Sequence, residues 1–592
     1  MPRIFFRSLI LLASLSCYFI ACTPKSEEAS GDTSGETPTE EASFVRDELS
    51  VQHGQELFNM YCASCHNFDE NSIGPNLSGV TTEVEKDWLV SFINNAPKVI
   101  DSGDDRAQEL FATYKQYMPA FTMLEEEQIE HILGFIHKFS QGQQRSQNNR
   151  PGGILDPIPE KIPSSNLALV LEKVLTLPSS AEEAPLARIN KLQAIKGKAG
   201  ERLFMHDLRG KLYEIKGDSS VVYLDLAAEQ PDFMENPGYA TGFGSFDFHP
   251  EFEKNGLFYT SHTEPDSSAA ADFALPDSIK ARLQWVVLEW KADDPQAGTF
   301  SGTHRELLRI EMYGTSHGMQ ELTFNPLAKP GDADYGLLYI SVGDGGSGIR
   351  YPFVSDNDAQ RIWGSVIRID PAGNNSTNGQ YGIPKDNPFI NSPDAVDEVW
   401  TRGFRNPHRI SWDQGGSGKM FITNIGQHSV EEVNLGIAGA DYGWPNREGT
   451  FLFDPLANPE IVYPLPDDDS GYVYPVAQYD HDEGNAISGG FAYAGTKVPQ
   501  LKGKYVFGDI PRGKIFYAEV DEMELGQQAQ VYSLGVEFDG KQTDLETLTE
   551  NKRVDLRFGI DSTGELYIFT KSNATLYKVV GCKTSADTLE AG

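Results

Sequence analysis

The chain has 592 residues, more than one hydrophobic core usually organises, so two or more folding units are expected. Its 86 Asp and Glu outnumber 49 Lys and Arg, giving a formal charge of -37. A surface this acidic repels a phosphate backbone, which excludes nucleic acid as a partner.

Arg3 and Arg7 precede an apolar run from Ser8 to Ala21, the pattern of an export signal over residues 1–21. The stretch FIAC at 19–22 resembles a bacterial lipobox. It makes Cys22 the expected lipid anchor of an exported protein, periplasmic or held on the outer membrane or cell surface, with Cys17 a second candidate. Residues 22–45 are rich in Ser, Thr, Glu, Gly and Pro and poor in large apolar side chains, as a flexible acidic tether is. No later run is apolar and long enough to span a bilayer.

Residues 46–140 read as helical. Gly54, Leu57, Phe58 and Tyr61 recur at helical spacing and lead into YCASCHNF, which holds a Cys-x-x-Cys-His motif. Two thiols three residues apart, Cys62 and Cys65, are spaced to take up the vinyl groups of one covalent c-type haem, and His66 brings an imidazole to the iron. A redox dithiol is the competing reading of the two cysteines. Thr122 and Glu125 form a candidate capping box before a helix whose Ile129, Ile132, Leu133 and Ile136 share one face. These features together resemble a class I cytochrome c domain. IGPNL at 73–77 matches that family's loop beside the haem edge, and YMPAF at 117–121 its distal-ligand loop. The resemblance makes Met118 the sixth iron ligand, with Met123 and Met60 as alternatives.

Residues 141–165 are polar and then Pro/Gly-rich, as an interdomain linker is. From 166 to 582 the unit changes to short alternating strands joined by Gly-containing turns, visible at 202–215, 246–261, 322–344, 410–424, 489–509 and 556–570. Six such modules without sustained helical repeats predict an all-β propeller of six blades, with a β-sandwich array as the alternative. The expected architecture is therefore multidomain: a small all-α cytochrome c domain, an all-β propeller, and a C-terminal tail at 583–592. Cys582 is left without a partner once Cys62 and Cys65 hold haem, and the sequence assigns it no role.

The large domain also resembles the soluble glucose/sorbosone dehydrogenase family. The likeness rests on FDFHPEFEKNGLFYTSHT, SHGMQELTFNP, GLLYISVGDGGSG, GSVIRIDP, TRGFRNPHRISW and ISGGFAYAG, in that order. It implies pyrroloquinoline quinone (PQQ) and calcium as cofactors and oxidation of a sugar. His317 falls at the catalytic base and Asp344 at the carboxylate that orients it; Ser316 stands where the family has Asp. Arg405 and Asn406 match cofactor contacts, with His408 and Arg409 outside them. Gly426 and Gln427 match residues whose backbone oxygens hold calcium. Arg553 and Arg557 lie where the family has two cofactor-binding arginines two residues apart, here four apart, and Arg512 or Lys514 is a further basic candidate.

The function implied is oxidation of an aldose or related aldehyde at C1, with electrons passing through the haem to an external acceptor such as another cytochrome. Two alternatives stand: an enzyme like cytochrome cd1 nitrite reductase, and a sugar- or protein-binding propeller without catalysis.

Overall fold

Side chains three and four apart bury one face of α1 (Glu48–Tyr61), where Val51, Leu57 and Phe58 are enclosed. The computed structural model describes residues 44–584 apart from 45–47, 63–65, 67, 69–73, 115–117, 141–151, 199, 237–239, 347–353, 355–358, 456–457, 459–460 and 468. The leader, Cys17, Cys22 and most of the tether therefore lie outside the described residues, as do Cys65, Ile73 and Tyr117. Among the described residues no helix is long and apolar enough to cross a membrane.

The helical region continues with α2 (Val80–Glu83), α3 (Lys86–Asp101), α4 (Asp105–Tyr114) and α5 (Glu126–Ser140). The four isoleucine and leucine positions expected on one face of α5 are all buried. α1 packs on α5 so closely that a Cβ on Gly54 would overlap the carbonyl of His131. The expected cap moves. Phe121–Leu124 closes a turn, with Leu124 N–H donating to the Phe121 carbonyl at 2.9 Å, so Thr122 stands outside the helix. Glu125 is the cap, and its own N–H donates to the Gln128 side chain at 3.0 Å, one bond of a capping box set three residues later.

The large domain is built of strands. Each of the six expected modules is an antiparallel pair: Gly200–Asp207 with Lys211–Lys216, Phe243–Phe248 with Leu257–Pro265, Leu322–Phe324 with Leu338–Val342, Pro407–Trp412 with Met420–Asn424, Ile487–Ala492 with Lys504–Asp509, and Leu556–Ile560 with Leu566–Thr570. The first four pairs are extended to four-stranded antiparallel sheets, and the last two lie in one nine-stranded sheet. That sheet is joined by Ser164–Thr176, which runs parallel to Tyr532–Phe538 on one side and antiparallel to Thr575–Thr584 on the other. The first strand of the domain is thus held by the last.

Two boundaries shift in consequence. The strand begins at Ser164, inside the expected linker, and Ile154 and Ile158 already bond to the β-domain, through the Val462 backbone and Asp480. The final strand runs to Thr584, past the expected tail boundary. Cys582 sits on that strand opposite Leu169, buried among Leu171, Val536 and Val579, and burial pushes its thiol up to about 11. It packs as an apolar side chain, which supplies the role that the sequence left open.

Candidate functional site

The helical region encloses an apolar cavity lined by Cys62, His66, Leu89, Phe92, Met118 and Ile132 among others. His66 N–H donates to the Cys62 carbonyl at 3.0 Å, so the motif continues from the end of α1. The His66 ring places Nδ1 2.9 Å from the Pro75 carbonyl, an acceptor, which puts the proton on Nδ1 and leaves Nε2 with a lone pair for a metal. Gly74 permits this approach, since a Cβ there would run into the imidazole. Burial holds the His66 pKa below the usual value, keeping the ring neutral as a ligand must be. His66 and Met118 share this one cavity, whereas Met123 is half exposed on the surface turn. An apolar chamber with an imidazole, a thiol and a thioether in its walls fits a covalent haem.

In the β-domain, Asp344 follows the strand Leu338–Val342 and is fully buried. Its Oδ1 lies 2.7 Å from Nδ1 of His317 and also accepts the Gly346 N–H at 2.8 Å, while Oδ2 accepts the Trp444 indole N–H at 3.2 Å. His317 adopts a φ of 50°, in the left-handed region that costs a β-carbon-bearing residue strain. Burial, then the nearby Arg405, depress the His317 pKa against the opposing pull of Asp344, so the ring is neutral near pH 7. Burial raises the Asp344 pKa, but His317 and Arg405 outweigh it and hold the carboxyl below its ordinary range. An ionised carboxylate only accepts, so the imidazole carries its proton on Nδ1 and offers Nε2 as a base.

Arg405 completes the group. Its Nε donates to the Gln427 side chain at 2.7 Å and Nη1 to the Gly426 carbonyl at 2.6 Å, and its guanidinium lies 5.9 Å over the Trp444 ring. The backbone of Asp344 donates to the Arg405 carbonyl at 2.9 Å, tying base, carboxylate and cation together. Among the described residues Asn406 Oδ1 and His408 Nδ1 are buried without hydrogen-bond partners, an arrangement that a polar ligand would relieve.

This chain matches the Glucose / Sorbosone dehydrogenase family over residues 194–575 and the Cytochrome c family over 51–140. It belongs to the glucose/sorbosone dehydrogenase family, with a cytochrome c domain fused at its N-terminal side. It is 29% identical over 331 residues to the HIPL1 protein of Arabidopsis thaliana, covering 48% of this chain and 46% of that one. It is 26% identical to the human hedgehog-interacting protein over 65% of this chain and 50% of that one. It is also 25% identical to quinoprotein glucose dehydrogenase B of Acinetobacter calcoaceticus, over 49% of this chain and 54% of that one. The chain spans about half the length of these curated relatives.

The remaining basic positions of this dehydrogenase-family domain divide into those that join the buried group and those that do not. Arg557 is buried, with Nε on the Asn190 side chain at 3.0 Å; burial, then Arg409, push its pKa down to about 9. Arg409 and His408 are buried beside it, Arg409 donating to the Gln320 and Asn190 carbonyls and to Glu321. Arg512 and Lys514 are drawn away by the acidic turn before Ile487, Arg512 bonding the Asp482 carbonyl at 3.2 Å and Lys514 pairing with Glu483 at 2.9 Å. Arg553 lines the haem cavity, its Nε 3.0 Å from Asp555.

Two residues escaped the sequence reading. Lys571 is buried, and burial, then Arg557, hold its pKa well below normal; Asp555 opposes them. Glu448 Oε1 accepts the N–H groups of Gln427, His428, Ser429 and Val430 at 2.7, 3.0, 2.8 and 3.1 Å. One carboxylate thus sets the loop whose carbonyls were expected to meet calcium. Neither residue sits in a motif, because Lys571 follows an ordinary strand and Glu448 reaches its loop from about twenty residues away.

Proposed function

We propose that the chain is a quinohaemoprotein dehydrogenase, in which a six-bladed propeller oxidises an aldose or related sugar aldehyde at C1 and passes electrons to haem c. The observation that carries this reading is the buried His317–Asp344 pair beside Arg405.

His317 Nε2 takes the proton of the C1 hydroxyl, and Asp344 stabilises the imidazolium that results. PQQ, when bound, supplies the acceptor for the C1 hydrogen with its electron pair, so a hemiacetal leaves as a lactone. Arg405 and Asn406 would hold it at the base, and Arg557 with Lys571 would meet its carboxylates; a cluster of buried basic side chains suits an anionic ligand. Calcium would bind the carbonyls of Gly426 and Gln427. The Gly426 oxygen has one lone pair on Arg405 and a second to offer, and Asp344, Glu448 and Glu431 act on the adjacent Arg405 with negative charge.

His66 and Met118 would ligate the haem iron, with Cys62 and Cys65 as the covalent attachments. From there electrons reach an external acceptor, such as another cytochrome. Export through the 1–21 leader and anchoring at Cys22 would set the protein on a membrane surface outside the cytoplasm.

Titration of the purified protein with PQQ, with and without calcium, tests the reading. Calcium-dependent binding followed by quinone reduction on addition of a reducing sugar supports it. A second, non-covalent haem in the extract would favour the cytochrome cd1-like alternative. Failure to bind the quinone would favour the binding-only alternative, for which the likeness to a hedgehog-interacting protein speaks.

A further inference from the structure

The helical region and the β-domain fall in one compact unit, Phe44–Gly592, and the segment 551–557 of the β-domain is where they meet at the haem cavity. Lys552 Nζ donates to the Thr113 carbonyl at the end of α4 at 3.2 Å and lies 5.5 Å over the Tyr114 ring. The next residue, Arg553, forms part of the cavity wall itself. Its main-chain N–H donates to the Asn551 side chain at 2.9 Å, which fixes the turn, and its Nε donates to Asp555 at 3.0 Å, which holds the guanidinium.

Asp555 does not cancel this charge. It is buried, and although burial raises its pKa, Arg553, Lys571 and Arg557 together hold it below the ordinary carboxylate range. One carboxylate is thus shared among three basic side chains.

We propose that Arg553 is a positioning residue lent to the haem by the β-domain, one that docks the two regions and favours the reduced iron. Reduction removes one positive charge from the haem, so a fixed cation in its wall stabilises the ferrous state and raises the potential, and low dielectric strengthens the effect. The same turn ties the haem to the buried cation cluster, because Arg553 and Arg557 are four residues apart and at most about 14 Å of extended chain separates them. The quinone end of that link rests on the function proposed above. The haem end does not.

The test uses the full-length haem-loaded protein without quinone or calcium, so that its outcome is independent of the quinone reading. Optical redox titration of the haem is expected to show a lower potential in Arg553→Gln, recovery in Arg553→Lys, and the opposite shift in Asp555→Asn, which removes the carboxylate paired with Arg553. The iron-ligand spectrum should be the same in all three. An unchanged potential in Arg553→Gln, or shifts of one sign in both Arg553→Gln and Asp555→Asn, would overturn the proposal. If Arg553→Gln does not fold, the direction of the Asp555→Asn shift alone decides.

Discussion

At the scale of single residues, His317 carries the most specific claim. Replacing a general base lowers rate by roughly 10²–10⁴-fold, so His317→Ala should slow reduction of the bound quinone by about that amount at saturating sugar. The defect should persist with an artificial acceptor, and stopped-flow measurement of the quinone step reads it directly. The pH dependence follows from the depressed His317 pKa. The neutral base dominates at pH 7, and the rate should fall on acidification only below the usual histidine value of about 6.5. Asp344→Asn removes the carboxylate that raises that pKa, so its acid limb should move to lower pH while the plateau drops through loss of orientation; a pH–rate profile of both proteins checks this. Met118→Ala should keep the haem covalently attached, open its distal position and lower its potential, with a changed thioether absorption band as the readout. His317, Asp344, Arg405 and Met118 were legible because each sits in a short motif with a fixed chemical neighbour. Lys571 and Glu448 were not, since their partners come from remote strands and nothing in their own neighbourhoods marks them.

At the scale of elements, the haem domain depends on one close crossing. Gly54 admits the backbone of α5 against α1, and a methyl group there must push the two helices apart. Overpacking of this kind costs about 1–3 kcal/mol, so Gly54→Ala should lower the denaturant midpoint read at the haem while leaving the unfolding of the β-domain unchanged. Helical spacing identified Gly54 as part of the buried face but could not say that it needed to be glycine, because the reason lies on another helix. The displaced cap of α5 has a similar cause: Thr122 and Glu125 have the right spacing, but the turn at Phe121–Leu124 commits the backbone first. Hairpins were readable throughout, as their pairing is local. The strand Ser164–Thr176 was not, because it pairs with residues about 370 to 420 positions away and begins in a stretch that reads as linker.

At the scale of the whole molecule, the proposed function accounts for a cytochrome ahead of this β-domain: electrons leaving a two-electron oxidation need a one-electron outlet. The turn at 551–557 places the two regions in contact at the haem, something that neither half of the sequence signals alone. The central claim is that sugar oxidation and haem reduction are one path. The direct measurement is haem absorbance after a reducing sugar is mixed anaerobically with the full-length protein loaded with PQQ and calcium. The account predicts that the haem is reduced only when sugar, quinone and calcium are all present, and that His317→Ala slows the reduction to the same extent as it slows the quinone step. A haem that stays oxidised while the quinone is reduced, or one that sugar reduces without quinone, would contradict it.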